Sequence, residues 1–437
     1  MRIWHLVTVA AVGLARDSAW NVAMGQGIAI AAQAVPVITR ATHTATRSDL
    51  TEGYLSQPII MGHAWWKGVS GLGMLNLEGL TLRRGELNTG GYGEGYVDRR
   101  HPHAYVHELM FGAQGSAVGA NASIFAGRGF APFGSDDPMV RPFEKYPINH
   151  HLAQVLERSV AVAAVRRGPF IGEFGTFNGD EPLGPGTAPN YRRFGDSWSS
   201  RITLLPFDGV ELSGSIARVR SPEQRFGAGL NQNKSSLVAR YERFSPTTWR
   251  YGLVEWERTD ERDRGETITS LGSVLAEAAY CRAGITVAAR AERTDRPEEE
   301  RLANPFRSPR PAPDLSNLGV SRWTAFTVSV SAPPVRTRFF SARPFVEIEH
   351  LSAAPGNPPG IFNPDHQYGA RRMWMLSVGE RLFVGSPHHR MGRYGAALPT
   401  SEMGTHTHSE ESHEMPAGAH DMMSMPAAHP PVNQCSQ

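Results

Sequence analysis

Short segments in which apolar and polar residues alternate recur along most of this 437-residue chain, from Trp65 to Arg393. The stretch from Phe326 to Ser331, for example, has Phe or Val at every second position and Thr or Ser between them. Residues two apart on a β-strand point to the same side, so each such segment predicts a strand with one apolar and one polar face. The same alternation occurs in the segment 210–218 and around Leu75.

No segment after the N-terminal region contains the roughly 20 uninterrupted apolar residues that a transmembrane helix requires. An integral membrane protein with this sequence must therefore be a β-barrel, in which every backbone group of a strand is paired. We expect an all-β fold, an antiparallel up-and-down transmembrane β-barrel of about 12–14 strands with a disordered C-terminal tail. The predicted strands lie around Leu75 and at 103–113, 118–127, 160–166, 170–177, 197–205, 210–218, 235–244, 249–258, 268–280, 285–293, 324–331, 345–350 and 373–384.

The connections between these segments are of two kinds. Short turns, such as the segment 206–209, alternate with long polar connections at 130–157, 179–196 and 294–320. Barrels of the outer membrane have short turns at one rim and long loops at the other. The last connection, 294–320, has several prolines and no apolar periodicity, so we expect it to be a flexible extracellular loop. Aromatic residues near the strand ends are candidates for an interfacial girdle, namely Trp65, Trp66, Trp249, Tyr251, Trp323 and Trp374.

The N-terminal region has the features of an imperfect export signal. An apolar run from Ile3 to Ala15 follows Arg2, and a second apolar stretch ends at Ala32-Gln33-Ala34, a small-x-small cleavage pattern. We therefore divide the chain into a targeting segment at 1–34, a barrel at 54–395 and a tail at 396–437. Two distant cysteines, Cys281 and Cys435, predict neither a disulfide framework nor a CxxC site.

The tail is rich in residues that bind soft or borderline metals. Imidazole suits Cu(II) and Zn, whereas thioether selects Cu(I), so the mixture predicts weak multivalent binding of copper, with zinc as the alternative. The alternative interpretation is a polar low-complexity tail without a ligand. The candidate ligands are His406, His408, His413, Met415, His420, Met422, Met423, Met425 and His429, and Cys435 is a candidate for an additional thiolate.

A second group of histidines lies at the start of a predicted strand and in the loop that follows the next one. Imidazoles two residues apart on a strand can converge, and a carboxylate beside them completes a possible metal site. The alternative is a hydrogen-bonded polar network with no metal. The residues concerned are His101, His103, His107, Glu108, His150 and His151.

Composition argues against nucleic-acid binding, and the known catalytic motifs give no support for an enzyme. The formal net charge is +2, with 44 basic and 42 acidic residues, so the chain lacks the concentrated basic surface typical of nucleic-acid binding. The sequence contains no GxSxG, HExxH, Walker or dinucleotide-binding motif, and we identify no catalytic residue and no enzyme cofactor. The expected partners are therefore outer-membrane lipid and metal ions.

Several longer motifs together resemble a family of uncharacterised bacterial proteins that are taken to be outer-membrane β-barrels. The likeness extends from about Tyr54 to Gly395, and its most specific parts are DRRHPH at 98–103, NHH at 149–151, FNGDEP at 177–182 and HRMGRYG at 389–395. The resemblance implies an outer-membrane location and a barrel, and its members' histidine- and methionine-rich ends imply metal handling. It implies no substrate.

These observations predict a non-enzymatic outer-membrane barrel, porin-like or plugged, with a metal-binding tail. Two alternatives remain. One is a metal-dependent barrel enzyme centred on His101, His103, His107 and His151, and the other is a secreted, soluble β-sandwich that scavenges metal.

Overall fold

A computed structural model describes residues 26–44, 48–82, 103–135, 137–245, 247–299, 317–337, 340–357, 360–385 and 390–398, together with Cys435. These residues form one antiparallel sheet that closes on itself, because β1 pairs with both β2 and β17. Sixteen strands make up the closed wall in the described residues, and the two-residue β15 pairs only with β16 at one rim. The fold is therefore an up-and-down barrel, and the predicted alternative of a β-sandwich is wrong.

Thirteen of the sixteen wall strands have ten or more residues, enough to cross a membrane, and β3, β7 and β8 have eight. Each wall strand pairs with its neighbours in the sequence except where β15 intervenes. The strands are β1 Gln26–Ala41, β2 Leu50–Trp66, β3 Val69–Asn76, β4 Val106–Ala117, β5 Ala120–Gly129, β6 Arg158–Arg167, β7 Phe170–Phe177, β8 Ser197–Leu204, β9 Val210–Val219, β10 Asn231–Phe244, β11 Thr248–Asp263, β12 Glu266–Arg282, β13 Ile285–Glu299, β14 Asn317–Ser331, β15 Val335–Arg336, β16 Phe340–Pro355 and β17 Arg372–Gly385.

The alternation in the sequence separates the outside of the barrel from its lumen. On β14, Phe326 is 54% exposed on the outer surface, whereas Thr327 is 1% exposed and faces the lumen. On β9, Leu212 and Ile216 face outward, whereas Glu211 faces inward. The outer surface is thus apolar and the inner surface polar, as a lipid environment requires of a barrel.

Most connections at one end of the barrel are turns of two residues, and those at the other end are mostly long. We call these ends the short-turn rim and the long-loop rim. The two-residue turns Lys67-Gly68, Val118-Gly119 and Ala283-Gly284 have positive φ at both positions, the type I′ geometry that matches the twist of a hairpin. Glycine takes the second position in each because it adopts positive φ without steric cost.

Three short helices lie in the connections: α1 Glu78–Thr81, α2 His150–Ala153 and α3 Pro364–Tyr368. In the described part of the chain, no helix has the length and apolar character needed to cross a membrane.

All fourteen predicted strands are present among the described residues, and the sequence analysis missed the wall strands β1 and β2 and the two-residue β15. The predicted targeting segment at 1–34 overlaps the wall, since residues 26–34 belong to β1. The boundary is wrong because β1 is largely apolar on both faces: Ile28 and Ile30 face outward, and Ala31, in one cluster with Met139 and Met391, faces inward beside the polar Gln33. An apolar partner in the lumen removes the alternation that marks the other strands.

The predicted aromatic girdle is correct only in part. Trp66 and Trp374 are exposed on the outer surface, but Trp249, Tyr251 and Trp323 are buried on the inner side. The indole nitrogen of Trp249 donates to Glu242 at 2.9 Å, and that of Trp323 donates to Ser321 Oγ at 2.7 Å. These tryptophans belong to the lumen because their position in the alternation points inward, whatever their distance from the strand end.

Candidate functional site

Part of the polypeptide chain lies inside the lumen of the barrel. The connection between β5 and β6, residues 130–157, folds into the barrel instead of extending from the rim, and we call it the inner loop. Its apolar side chains pack against inward-facing residues of the wall, as Phe143 does against Leu253 and Leu275. The sequence analysis placed this connection among the long loops of one rim, and that prediction is wrong.

Carboxylates of the wall bind backbone amides of the inner loop. Glu347 accepts hydrogen bonds from the amides of Glu144 and Lys145, both at 2.9 Å, and Glu292 accepts one from the amide of Ile148 at 2.9 Å. Hydrogen bonds to an ionised group are stronger than neutral ones. They satisfy the backbone of a segment that lacks sheet partners.

Arginines of the wall bind the carbonyl groups of the same segment. Arg290 donates to the carbonyl of Lys145 at 2.6 Å, and Arg381 donates to those of Arg141 and Phe143 at 3.1 and 2.8 Å. The wall thus holds both the amides and the carbonyls of the inner loop.

One side chain of the inner loop reaches back to the wall as a fully buried ion pair. The guanidinium of Arg141 lies 2.9 Å from Glu255 on β11 and 3.4 Å from Glu277 on β12. Tyr251 also donates to Glu277, at 2.8 Å, and Asn149 donates to Glu255, at 3.2 Å. Arg141 is therefore the main charged connection between the loop and this side of the barrel.

A second segment enters the lumen after the last strand. Residues 390–398, the C-terminal inner segment, carry Arg390 and Arg393, which both form ion pairs with Glu211 on β9. Arg393 also lies 3.0 Å from Glu173 on β7, and Arg201 donates to the carbonyl of Gly392 at 2.8 Å. Residues 390–395 of the motif that carried the family resemblance thus lie inside the barrel.

The two inner segments contact each other. Tyr394 accepts a hydrogen bond from the amide of Phe130 at 2.9 Å and donates to Glu108 at 2.6 Å. Met391 packs in one apolar cluster with Met139 and Phe130. Displacement of one segment therefore removes contacts of the other.

Little free space remains beside the inner loop near the short-turn rim. A cavity between Pro142, Glu144, Thr286, Arg343 and Phe383 has a volume of about 20 Å³, which is room for about one water molecule. The lining of this cavity includes the charged side chains of Glu144 and Arg343.

Histidines and carboxylates meet at the long-loop rim, where the inner loop begins and ends. The Nδ1 atoms of His107 and His103 lie 2.7 and 3.4 Å from the same carboxylate oxygen of Glu157. On the other side of the ring, His107 Nε2 lies 3.5 Å from Asp137 Oδ2. All four side chains are buried, and we call them the histidine cluster.

Two local departures from regular geometry produce this cluster. The pairing of β3 with β4 shifts between Met74 and Leu75, so that His107 is the extra residue of a β-bulge and turns inward together with Glu108. Glu157 has a φ of 55°, in the left-handed region that a residue with a side chain rarely adopts.

The carboxylates of the cluster are held in their ionised form. Burial alone would raise the pKa of Glu157, but hydrogen bonds from His103 and His107 keep it well below its usual range. Burial would likewise raise the pKa of Asp137, and its contact with His107 lowers it. The Arg128 guanidinium, 4.0 Å from Glu157 Oε2, adds positive charge nearby.

The structure brings together most of the second predicted metal group. His103 and His107 share Glu157, and the His150 ring lies 6.5 Å from that of His103 and 4.2 Å from that of His151. Glu108 is adjacent but bonds to Tyr394, away from the imidazoles. Glu157 and Asp137 were missed because they stand 50 and 30 positions along the chain from His107, without a spacing pattern.

His101 lies outside the described residues. The tail ligands predicted from sequence do so too, namely His406, His408, His413, Met415, His420, Met422, Met423, Met425 and His429.

The two cysteines form a disulfide. Cys281, buried at the short-turn end of β12, is bonded to Cys435, with a Cα–Cα distance of 5.7 Å. The prediction of no disulfide is therefore wrong, as is that of a Cys435 thiolate ligand. Spacing gave no signal because the cysteines are 154 residues apart and only the closed barrel brings them together. Residues 396–398, predicted as the start of the disordered tail, are buried in the lumen or at its edge.

Comparison with known proteins gives similarity of structure only. No protein-family model and no curated protein sequence matches the chain. The anion-selective porin from Comamonas acidovorans is similar with a TM-score of 0.46 and 11% identity, over 82% of this chain and 99% of that one. OmpT of Vibrio cholerae, in its trimer form, has a TM-score of 0.46 and 8% identity over 82% and 99%. Pseudomonas aeruginosa OccK2, solved in complex with glucuronate, has a TM-score of 0.40 and 9% identity over 83% and 100%.

These likenesses concern the fold, and the family predicted from the motifs stays a prediction. The location follows from the molecule itself. A closed antiparallel barrel with apolar side chains around its outside and charged side chains within has the surface of a protein that spans a bilayer with strands. The chain is an outer-membrane β-barrel.

Proposed function

We propose that this protein is a non-enzymatic, porin-like channel whose lumen is narrowed by the inner loop and the C-terminal inner segment, and which passes only small hydrophilic solutes. The observation that carries the proposal is the charge on the inner surface. Glutamates and arginines of the wall pair with charged or polar groups of the inner loop inside the barrel, as Glu255 and Glu277 pair with Arg141.

Charge on both sides of a narrow lumen favours ions and small polar molecules and disfavours apolar ones, because field lines concentrate between low-dielectric walls. A purely structural barrel could be filled with apolar side chains, whereas each buried charge costs free energy unless it is paired. The charged side chains of Glu347 and Arg381 form hydrogen bonds with the inner-loop backbone, which supports a constriction that is a fixed part of the lumen.

The test is the conductance of the purified full chain in planar lipid bilayers. We expect discrete steps of low conductance and, in a salt gradient, a reversal potential that departs from zero. Replacing the lumenal Arg393→Gln, which removes ion pairs to Glu173 and Glu211, should increase the step size. The outward-facing, half-exposed Arg258→Gln is the matched control and should leave it unchanged. Absence of steps in the wild type and in both variants would show a plugged barrel that does not conduct.

Copper binding by the tail is a second candidate function. One observation supports it: the chain is fixed at both ends of the predicted metal-binding segment, because Arg166 donates to the carbonyl of Leu398 at 2.9 Å and Cys435 is bonded to Cys281. Weak ligands that are linked in one segment act at a raised effective concentration. Calorimetric titration with Cu(I) and Cu(II), comparing the full chain with a variant whose tail His and Met residues are all Ser, tests it. Equal binding by the two proteins would exclude the tail.

A further inference from the structure

The histidine cluster has the composition and geometry of a metal site within the barrel. We infer that His103, His107 and Glu157 bind one borderline divalent transition-metal ion, with zinc as the reference case, and that Asp137 orients His107. This proposal does not depend on whether the barrel conducts.

The first support is the distances. One oxygen of Glu157 faces the Nδ1 atoms of both imidazoles, and one potential ligand atom from each of the three residues lies within 4.8 Å of the other two. Tetrahedral ligands about 2.0–2.2 Å from zinc are separated by roughly 3.3–3.5 Å. The 3.4 Å between His103 Nδ1 and Glu157 Oε1 already has this value, and the 2.7 Å to His107 Nδ1 needs to widen by roughly 0.6 Å.

The second support is the carboxylate behind His107. A metal-bound imidazole usually donates its other nitrogen to a carboxylate, which fixes the tautomer and the ring. Here His107 Nε2 and Asp137 Oδ2 face each other at 3.5 Å, and neither atom has a hydrogen-bond partner among the described residues. Asp137 is itself held, because its other oxygen accepts from the amide of Met139 at 2.8 Å.

The third support is the cost of the arrangement. His107 reaches the cluster through a β-bulge and Glu157 through a left-handed backbone conformation. Such departures persist where the surroundings determine them, and they are frequent at functional sites. Regular strand geometry would have turned His107 toward the lipid.

The ligand types select the class of ion. Two imidazoles and one carboxylate suit zinc and its neighbours Co(II), Ni(II) and Cu(II), and not the hard cations Mg²⁺ and Ca²⁺, which prefer oxygen ligands. Imidazole binds a metal in its neutral form, so in the metal-bound site the carboxylates of Glu157 and Asp137 would balance the two charges of the cation, with Arg128 4.0 Å from Glu157 as a further positive group. Three protein ligands leave a fourth position for water or a passing solute.

The site joins the inner loop to the wall. Asp137 and Glu157 lie near its beginning and at its end, whereas His107 belongs to β4 and His103 immediately precedes that strand. A bound ion therefore links the loop to the barrel at the long-loop rim, opposite the end where Cys281 is bonded to Cys435.

The experiment uses Co(II), whose visible absorption reports tetrahedral coordination by nitrogen, and Zn(II) in competition, on the full-length, detergent-folded chain. We compare the wild type with His103→Ala, His107→Ala and Glu157→Gln, and use the exposed His366→Ala on α3 as the matched control. Heat-modifiable migration in gels verifies that each variant is folded. Because every protein retains the tail, binding there contributes equally to all of them.

We expect one zinc-displaceable tetrahedral cobalt spectrum per wild-type and His366→Ala chain, and its loss in the three ligand variants. The Asp137→Asn variant should keep the spectrum with about 10–100-fold weaker affinity. If His107→Ala fails to fold, His103→Ala and Glu157→Gln decide the question. An unchanged spectrum in these folded variants, or no tetrahedral spectrum in the wild type, would overturn the proposal and leave the cluster as an ion-pair network.

Discussion

Replacement of Arg141 by Ala should release the inner loop from one side of the barrel. The substitution leaves Glu255 and Glu277, whose side chains are 0% exposed, without their closest cation. Breaking a buried ion pair by removing one partner costs about 3–5 kcal/mol. Tyr251, Asn149 and the more distant Arg290 still contact these carboxylates, so we expect about 3 kcal/mol, the lower end of that range.

At about 1.4 kcal/mol for each factor of ten, this loss shifts the equilibrium between docked and undocked loop by about two powers of ten. The change should be visible in two assays on the folded barrel. Trypsin should cleave after Lys145, which is buried in the wild type, and bilayer recordings should show larger or more variable conductance steps.

The control is Arg258→Ala, which removes an ion pair to Asp260 in which the arginine is 53% exposed. Exposed pairs contribute about 0–1 kcal/mol, so this variant should behave as the wild type does. A variant in which Arg141→Met is combined with Glu255→Gln and Glu277→Gln should recover part of the loss, because no buried charge is left unpaired. If Arg141→Ala resists trypsin and conducts as the wild type does, the ion pair does not hold the loop and the reasoning fails.

Three further predictions follow from separate parts of the structure. Burial raises the pKa of Glu144 to about 7, against the effect of Lys145, so the docked loop keeps a proton that the undocked loop, with the ordinary pKa of 4.5, loses at lower pH. Docking should therefore weaken as pH rises from 4.5 to about 7 and change little beyond. The Glu144→Gln variant should remove this dependence of tryptic cleavage on pH. Ile348→Lys, on the outer face near the middle of β16, should destabilise the barrel by about 2–4 kcal/mol in liposome unfolding titrations, and an unchanged midpoint would contradict the membrane orientation. Cys281→Ser should free the C-terminal end for carboxypeptidase digestion while the heat-modifiable migration of the barrel persists, whereas equal protection would show that other contacts hold Cys435.

The wall of the barrel was predictable because its environment acts on every second residue. Lipid outside and charge inside impose a period of two, and Phe326 and Thr327 obey it in sequence as in structure. The alternation is lost where the lumenal side of a strand is also apolar. This is the case around Ala31 on β1, so that part of the strand was interpreted as a targeting signal.

The inner loop was not predictable from the same pattern. Many of its contacts are hydrogen bonds between wall side chains, such as Arg381 and Glu347, and the backbone of the loop. Every residue has these backbone groups, so the sequence of the loop does not reveal such contacts. Half of the histidine cluster was found because His103 and His107 are close in sequence. Glu157 joins them only through the closure of β5 against β6.

The disulfide gives the chain a covalent topology of its own. Cys281 precedes β13 and Cys435 follows β17, so the bond closes a covalent ring that contains strands β13–β17. Strands β1–β12 form the linear part outside this ring. If an oxidising compartment forms this bond before the strands enter the membrane, the assembly machinery receives a lariat and not a linear chain. The seam between β1 and β17, where the barrel must finally close, then joins the free end of the lariat to its ring.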